Sequence, residues 1–164
     1  MKLSETTIGH EQILAFFERA IKNDSLSHAY FFVGQDHVGK TEVAEWLIGQ
    51  LMGKEGMKHP DVFHLKRIVD AKTGKQKFNV NVEQVRELRG KLSMSSFLGG
   101  YRIAFIEDAA HLNAAAANAL LKTLEEPGVK TLLILRAQSS EQLPATIASR
   151  CQVIRFQHVA RETI

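Results

Sequence analysis

Apolar and polar positions divide the chain into short solid runs and longer periodic stretches. Residues 29–33, "AYFFV", are apolar throughout and stop at Gly34. A run that short, rich in aromatic side chains, predicts a buried strand. The next stretch, 40–52, places Val43, Leu47 and Leu51 in one row and ends before Gly53, which predicts a helix. The two signatures then repeat. Residues 61–67 alternate as a strand; 81–92 space Val82, Val85 and Leu88 or Leu92 along a helix with Asn81 as a fair N-cap. "YRIAFIED", 101–108, is a strand running into two acids. Residues 113–128 form a strong helix: Asn113 caps it, alanine dominates it, and Pro127-Gly128 stop it. "TLLILRA", 131–137, and "QVIRF", 152–156, are strands, with a short helix in "LPATIASR" between them. An amphipathic helix over 10–23 precedes them all. The polar segment "DAKTGKQKFN", 70–79, is the piece expected to be disordered.

Strands alternating with helices imply an α/β fold: a five-stranded, mostly parallel sheet with helices on both faces and right-handed crossovers. Ligands of such sheets bind beyond the carboxyl ends of the strands. The residues that follow the first and third strands can therefore face one crevice.

A complete phosphate-cradling pattern follows the first strand: Gly34, four residues, then Gly39-Lys40-Thr41. The glycines let the backbone turn tightly and aim successive N–H groups inward, and the helix N-terminus favours an anion. Lys40 can reach β- and γ-phosphates, and the Thr41 hydroxyl can meet Mg²⁺. The bland alternative is an accidental match in a plain strand–turn–helix; the context, strand before and helix after, is the one the motif requires. Within the loop, His37 reads as an exposed filler. Glu107 and Asp108 follow the third strand, and nucleotide hydrolysis needs one carboxylate toward the metal and another toward water. Successive strand residues face opposite ways, so one acid alone reaches the crevice unless the strand has ended. The alternative for either acid is a solvated side chain or a cap of the next helix.

Composition narrows the class. The chain has 164 residues, 45% of them hydrophobic and 24% charged, in keeping with one soluble domain. No stretch is long and apolar enough to span a membrane, and the N-terminus lacks an apolar signal region, so the chain reads as cytoplasmic. A single cysteine, Cys151, excludes an internal disulfide and a cysteine-based zinc site, and the histidines at 28, 59, 64 and 111 lack metal spacing. The net charge of +3 permits contact with nucleic acid without arguing for it.

Five stretches together resemble bacterial clamp-loader AAA+ domains over nearly the whole chain: "IGHEQ", "HAYFFVGQDHVGKTEVA", "VEQVRELRGKLS", "RIAFIEDAAHLNAAAANALLKTLEEPG" and "LPATIASRC". The resemblance is greatest to the delta prime branch of the DNA polymerase III clamp loader, with the gamma/tau branch as close rival. It implies a P-loop NTPase fold of AAA+ type, over 1–158, with 159–164 starting a linker to a lid domain that this chain lacks. It assigns Gly34, His37, Val38, Gly39, Lys40 and Thr41 to the phosphates of ATP or ADP. Glu107 takes the Mg²⁺-side position and Asp108 the water-orienting position. The motor subunits carry Asp-Glu here, and an aspartate is one methylene shorter than a glutamate; a 1 Å misplacement can cost on the order of 100-fold in rate. The sensor strand ends Arg136-Ala137-Gln138, so Gln138 is a poor stand-in for the family's Thr or Asn. Ser149-Arg150-Cys151 matches the motif whose arginine reaches a neighbouring subunit's nucleotide, a role worth on the order of 10³–10⁵ in rate. On residue physics alone Arg150 is a surface ion pair, and Cys151 a small buried apolar residue. The zinc module of relatives is replaced by "MGKEGMKHP", so no zinc is expected. Implied partners are the gamma/tau and delta subunits, the sliding clamp indirectly, and primed DNA, for which Lys91 or Arg102 are unranked contact candidates. Little ATPase activity is expected of the chain alone. A P-loop kinase or transferase of small molecules is the alternative of another class, and no lid sequence supports it.

Overall fold

The computed structural model describes residues 10–94 and 99–157. The expected boundary between residues 158 and 159, and the linker beyond it, lie outside the described residues. The elements follow one another as α1 (Glu11–Lys22), β1 (Ala29–Val33), α2 (Lys40–Met52), β2 (Val62–Leu65), α3 (Val82–Ser93), β3 (Arg102–Ile106), α4 (Ala114–Glu125), β4 (Thr131–Ala137), α5 (Ala145–Ala148) and β5 (Gln152–Arg155). Single 3₁₀ turns cover Ala109–His111 and Ser140–Gln142, and a kinked 3₁₀ stretch, broken at Gly56, covers Gly53–Lys58.

All five strands pair in parallel, in the order β2-β3-β4-β1-β5. The sheet is thus the expected five-stranded one, parallel throughout. The inner strands are buried on both faces, which is why β1 and β4 read as solid apolar runs rather than alternations. Their residues still divide by parity. Phe31, Val33, Ala104, Ile106, Leu133 and Leu135 pack against α3, α4 and α5. Tyr30, Phe32, Ile103, Phe105, Leu132 and Ile134 pack against α1 and α2.

Local chemistry fixes the helix starts. At α3, the Asn81 side chain accepts from the Gln84 N–H and the Gln84 side chain accepts from the Asn81 N–H, each at 3.0 Å. Two donors with no partner inside the helix are thereby satisfied at once. At α4, Asn113 accepts from the Ala116 N–H at 2.8 Å.

Segment 70–79 departs from expectation. It turns back in a small antiparallel ladder, with Val69 bridged to Gln76 and the Asp70 N–H donating to the Lys75 carbonyl at 2.8 Å. Gly74, at φ 70°, allows the reversal. Its exposed polar side chains gave no apolar periodicity from which to read it. Among the described residues, no helix is long and apolar enough to cross a membrane.

Candidate nucleotide site

Strand order builds the site. β4 lies between β1, which leads into the glycine loop, and β3, which leads into the two acids. Whatever stands at the carboxyl end of β4 therefore stands between loop and acids. Asp36, Lys40, Glu107, Asp108, Arg136 and Gln138 line one cavity of about 290 Å³ there. That is just below the range of sites that enclose a whole ligand, and it suits phosphates better than an entire nucleotide.

The loop has the form its sequence demands. Gly34 abuts the end of β5: a Cβ there would come within 2.9 Å of the Phe156 carbonyl oxygen. Gly39, at φ 101°, is the N-cap of α2 and brings no capping side chain. The first N–H groups of this helix thus receive no capping acceptor from it, as an anion site requires. His37 takes φ 64° and is exposed, in line with a loop filler. Val38 is buried, and its carbonyl is held by the ring Nε2 of His10 from the N-terminal segment.

Lys40 is only 5% exposed. Its ammonium donates to the carbonyls of Gly34 and, at 3.2 Å, of Ala137. Burial, opposed by Asp36 and reinforced by the Arg136 charge, holds its pKa below the ordinary lysine value. A phosphate arriving in the cavity would push that pKa back up, since a nearby negative charge favours the ammonium form.

Both acids lie past the end of β3, and they part company. Glu107 continues the face of Ile103 and Phe105, toward α2, and pairs with Arg136 at 3.2 Å and His64 at 2.9 Å. Asp108 turns to the loop after β2, where its Oδ2 accepts the Arg67 N–H at 2.9 Å. Gln138 reaches back to the loop, its amide donating to Asp36 Oδ2 at 2.6 Å.

Arg136 joins these parts. Its Nη1–H donates to the Thr41 hydroxyl at 2.5 Å, its Nη2 pairs with Glu107, and its Nε–H donates to the Glu107 carbonyl at 3.3 Å. Thr41 and Glu107 are the two groups that would hold Mg²⁺, which demands near-octahedral oxygen ligation. With a guanidinium bridging them, these residues do not fit the metal. No cluster of three or more metal-ligating side chains occurs among the described residues.

The chain thus brings Lys40, Thr41, Glu107, Asp108 and Gln138 to one end of the sheet, and sets beside them Arg136, His10, His64 and Arg67, to which the sequence assigned no role in the site. Arg136 had a readable signal: a charged residue at the end of a buried strand, in phase with Leu132 and Ile134 on the α2 face. The link from His10 to Val38 had none.

Arg150 stands apart from this cavity. It precedes β5, pairs with Glu125 at the end of α4 at 3.0 Å, and donates to the Thr146 carbonyl at 2.7 Å. The register aligns Tyr30 with Gln152, so Arg150 lies level with His28, at the opposite end of β1 from Gly34. At ~3.3 Å per residue the separation along the strand is on the order of 20 Å. Its side chain is partly exposed there. Burial pushes the neighbouring Cys151 thiol up to about 12. At the same end of the sheet, Arg86, Arg89, Arg102 and Lys122 line a second cavity of about 790 Å³ together with Glu125 and Glu126. Lys91, by contrast, pairs with Glu87 at 3.2 Å.

Comparison with known proteins bears on this arrangement. A family model described as "DNA polymerase III, delta subunit" matches residues 9–160. Subunit delta' of DNA polymerase III from Escherichia coli is 35% identical over 147 residues, covering 88% of this chain and 42% of that protein. Subunit tau from Bacillus subtilis is 28% identical, covering 98% of this chain and 30% of that protein. The chain therefore spans less than half the length of these relatives. Among solved structures, a DNA polymerase III gamma subunit-related protein from Thermotoga maritima superposes with a TM-score of 0.70 at 22% identity, covering 89% of this chain and 47% of that one. That likeness establishes a shared fold.

Proposed function

The chain belongs to the DNA polymerase III delta-subunit family of clamp-loader proteins, and from that premise we propose that it is the AAA+ module of a delta prime subunit. Its work is to help load the sliding clamp onto primed DNA, in the cytoplasm, beside the gamma/tau and delta subunits. The module covers residues 1–158 and passes into a lid domain. Arg150 acts in this reading on a neighbour's nucleotide: it neutralises charge at the transferring phosphoryl group, for which a planar, permanently charged fork is suited.

The observation that carries the reading is the separation of two ends. The phosphate loop occupies the carboxyl end of the sheet, while Arg150 projects half-exposed from the other end, tethered by Glu125. A module with this polarity passes an arginine from one subunit to the loop of the next. The chain's own loop is credited with holding a nucleotide rather than turning it over. Gly34, His37, Val38, Gly39, Lys40 and Thr41 cradle the phosphates, while Asp108, spent on Arg67, is poorly free to orient water. Where the assembly meets DNA, the Arg102 cavity is a better candidate than Lys91, and affinity for a phosphate backbone falls with salt.

The test is reconstitution: full-length protein is added to delta, gamma/tau and clamp, and clamp loading is measured with and without it. Loading that needs the protein supports the reading, and loading that ignores it removes the reading. A second reading, an active gamma/tau-type ATPase, draws on the tau relative that covers nearly the whole chain. Robust steady-state turnover, abolished by Asp108→Ala, favours it.

A further inference from the structure

We propose that Arg136 is the resident cation of this nucleotide site, standing between Thr41 and Glu107 where a divalent metal would otherwise bind, so that the loop takes the polyphosphate of a metal-free nucleotide. The inference rests on the nucleotide-site reading above and specifies the form of its ligand.

Three observations carry it. Position comes first: β4 is the strand between the loop strand and the acid strand, and Arg136 is the penultimate residue of β4. Parity comes second. Arg136 shares its face with Leu132 and Ile134, the face that packs α2, and Glu107, just past β3, falls in phase with Ile103 and Phe105 on the same side of the sheet. Arginine, carboxylate and the first turn of α2 therefore converge without distortion. Bonding comes third. One guanidinium engages the Thr41 hydroxyl and both the carboxylate and the carbonyl of Glu107. The remaining Glu107 oxygen is taken by His64 at 2.9 Å, and Asp36, the other acid beside the loop, is tied to Gln138. Asp108, the third acid lining the cavity, accepts from Arg67, so each of the three carboxylates already has a partner within the protein.

The contacts to Thr41 and Glu107 use one N–H from each nitrogen of the planar fork and leave the second N–H of Nη1 and of Nη2 for phosphate oxygens, a role for which arginine is well suited. It supplies positive charge at the place where the metal would, without a coordination sphere to complete. The same substitution removes the ion that polarises the phosphoryl group in hydrolysing relatives of the fold class. The site becomes a holder.

The test titrates a fluorescent adenine diphosphate into the full chain, once in excess Mg²⁺ and once in EDTA. The wild-type chain is expected to bind equally well in both. Arg136→Thr is expected to lose about tenfold or more in EDTA, in proportion to a lost charged hydrogen bond, and to recover on adding Mg²⁺. Arg136→Lys, which keeps the charge, should remain indifferent to metal, and melting curves show which variants are folded. Wild-type binding that collapses on chelation overturns the proposal and leaves the nucleotide site standing. Absence of wild-type binding in both buffers also overturns it; binding of the Mg²⁺ complex by Arg136→Thr would then preserve the nucleotide-site reading, and no binding by either protein would end both.

Discussion

Gly34→Ala is the substitution whose effect can be worked most closely from the structure. A Cβ at Gly34 would lie 2.9 Å from the Phe156 carbonyl oxygen, 3.0 Å from the Phe156 Cβ and 3.1 Å from a methyl of Val38. Two of these atoms belong to Phe156, just past β5, whose N–H donates to the Val33 carbonyl at 2.8 Å. Phe156 is itself buried, packed edge-on against His10 at 5.0 Å and against Phe32 at 5.1 Å. The chain cannot yield locally. Either β5 shifts and disturbs that aromatic cluster, or Val38 moves and takes the loop with it. Overpacking of this kind costs roughly 1–3 kcal/mol. At about 2 kcal/mol the melting temperature of a chain this size falls by roughly 4–8 °C. Gly90→Ala is the matched control. Nothing lies within 4 Å of a Cβ there, and the position is an exposed one inside α3. Relief of glycine's helix penalty should stabilise the chain by about 0.5–1 kcal/mol. The two changes, chemically identical, are thus expected to move the melting temperature in opposite directions. Calorimetry on both variants decides it, and a Gly34→Ala protein as stable as the wild type would refute the claim that β5 braces the loop.

Other expectations follow from single contacts. Asn81→Ala removes the side-chain half of the capping box, leaving the Gln84 side chain on the backbone N–H of residue 81, and should cost about 1 kcal/mol, within a range of roughly 0.5–2, by urea titration. Cys151, with its pKa raised to about 12, should resist iodoacetamide at pH 8 in the native chain and react once the chain is unfolded. Lys40 has a folded pKa below its ordinary 10.5, so the unfolded chain binds more protons between the two values. Its contribution to stability therefore rises as pH rises toward 10.5, and Lys40→Met should flatten that slope in a pH series of melts.

Much of the fold could be read from the chain because the inner strands and the capped helices speak in local patterns. β1 and β4 fall on their expected residues because burial on both faces demands solid apolar runs. Asn81 and Asn113 announce helix starts by chemistry within three residues. The cavity was legible as a list of parts and illegible as a circuit. That Glu107 would pair with Arg136 rather than stand free depends on β4 lying between β1 and β3, and strand order is a long-range fact. His10 and Val38 are 28 residues apart, beyond any local period. The ladder at Val69 and Gln76 hides for a different reason: its few bonds need no apolar alternation, so a polar segment can fold without showing it.

The most direct test of the central claim is the DNA-stimulated ATPase of a reconstituted clamp loader in which this subunit carries Arg150→Ala. Arg150 is partly exposed, and its partners among the described residues are the Glu125 carboxylate and the Thr146 carbonyl, so the variant should fold and assemble normally. Turnover at the neighbouring site should then fall, by as much as about 10³-fold if that site carries the flux. Undiminished ATPase from a fully assembled loader would contradict the assignment of this arginine and of the subunit's place in the ring.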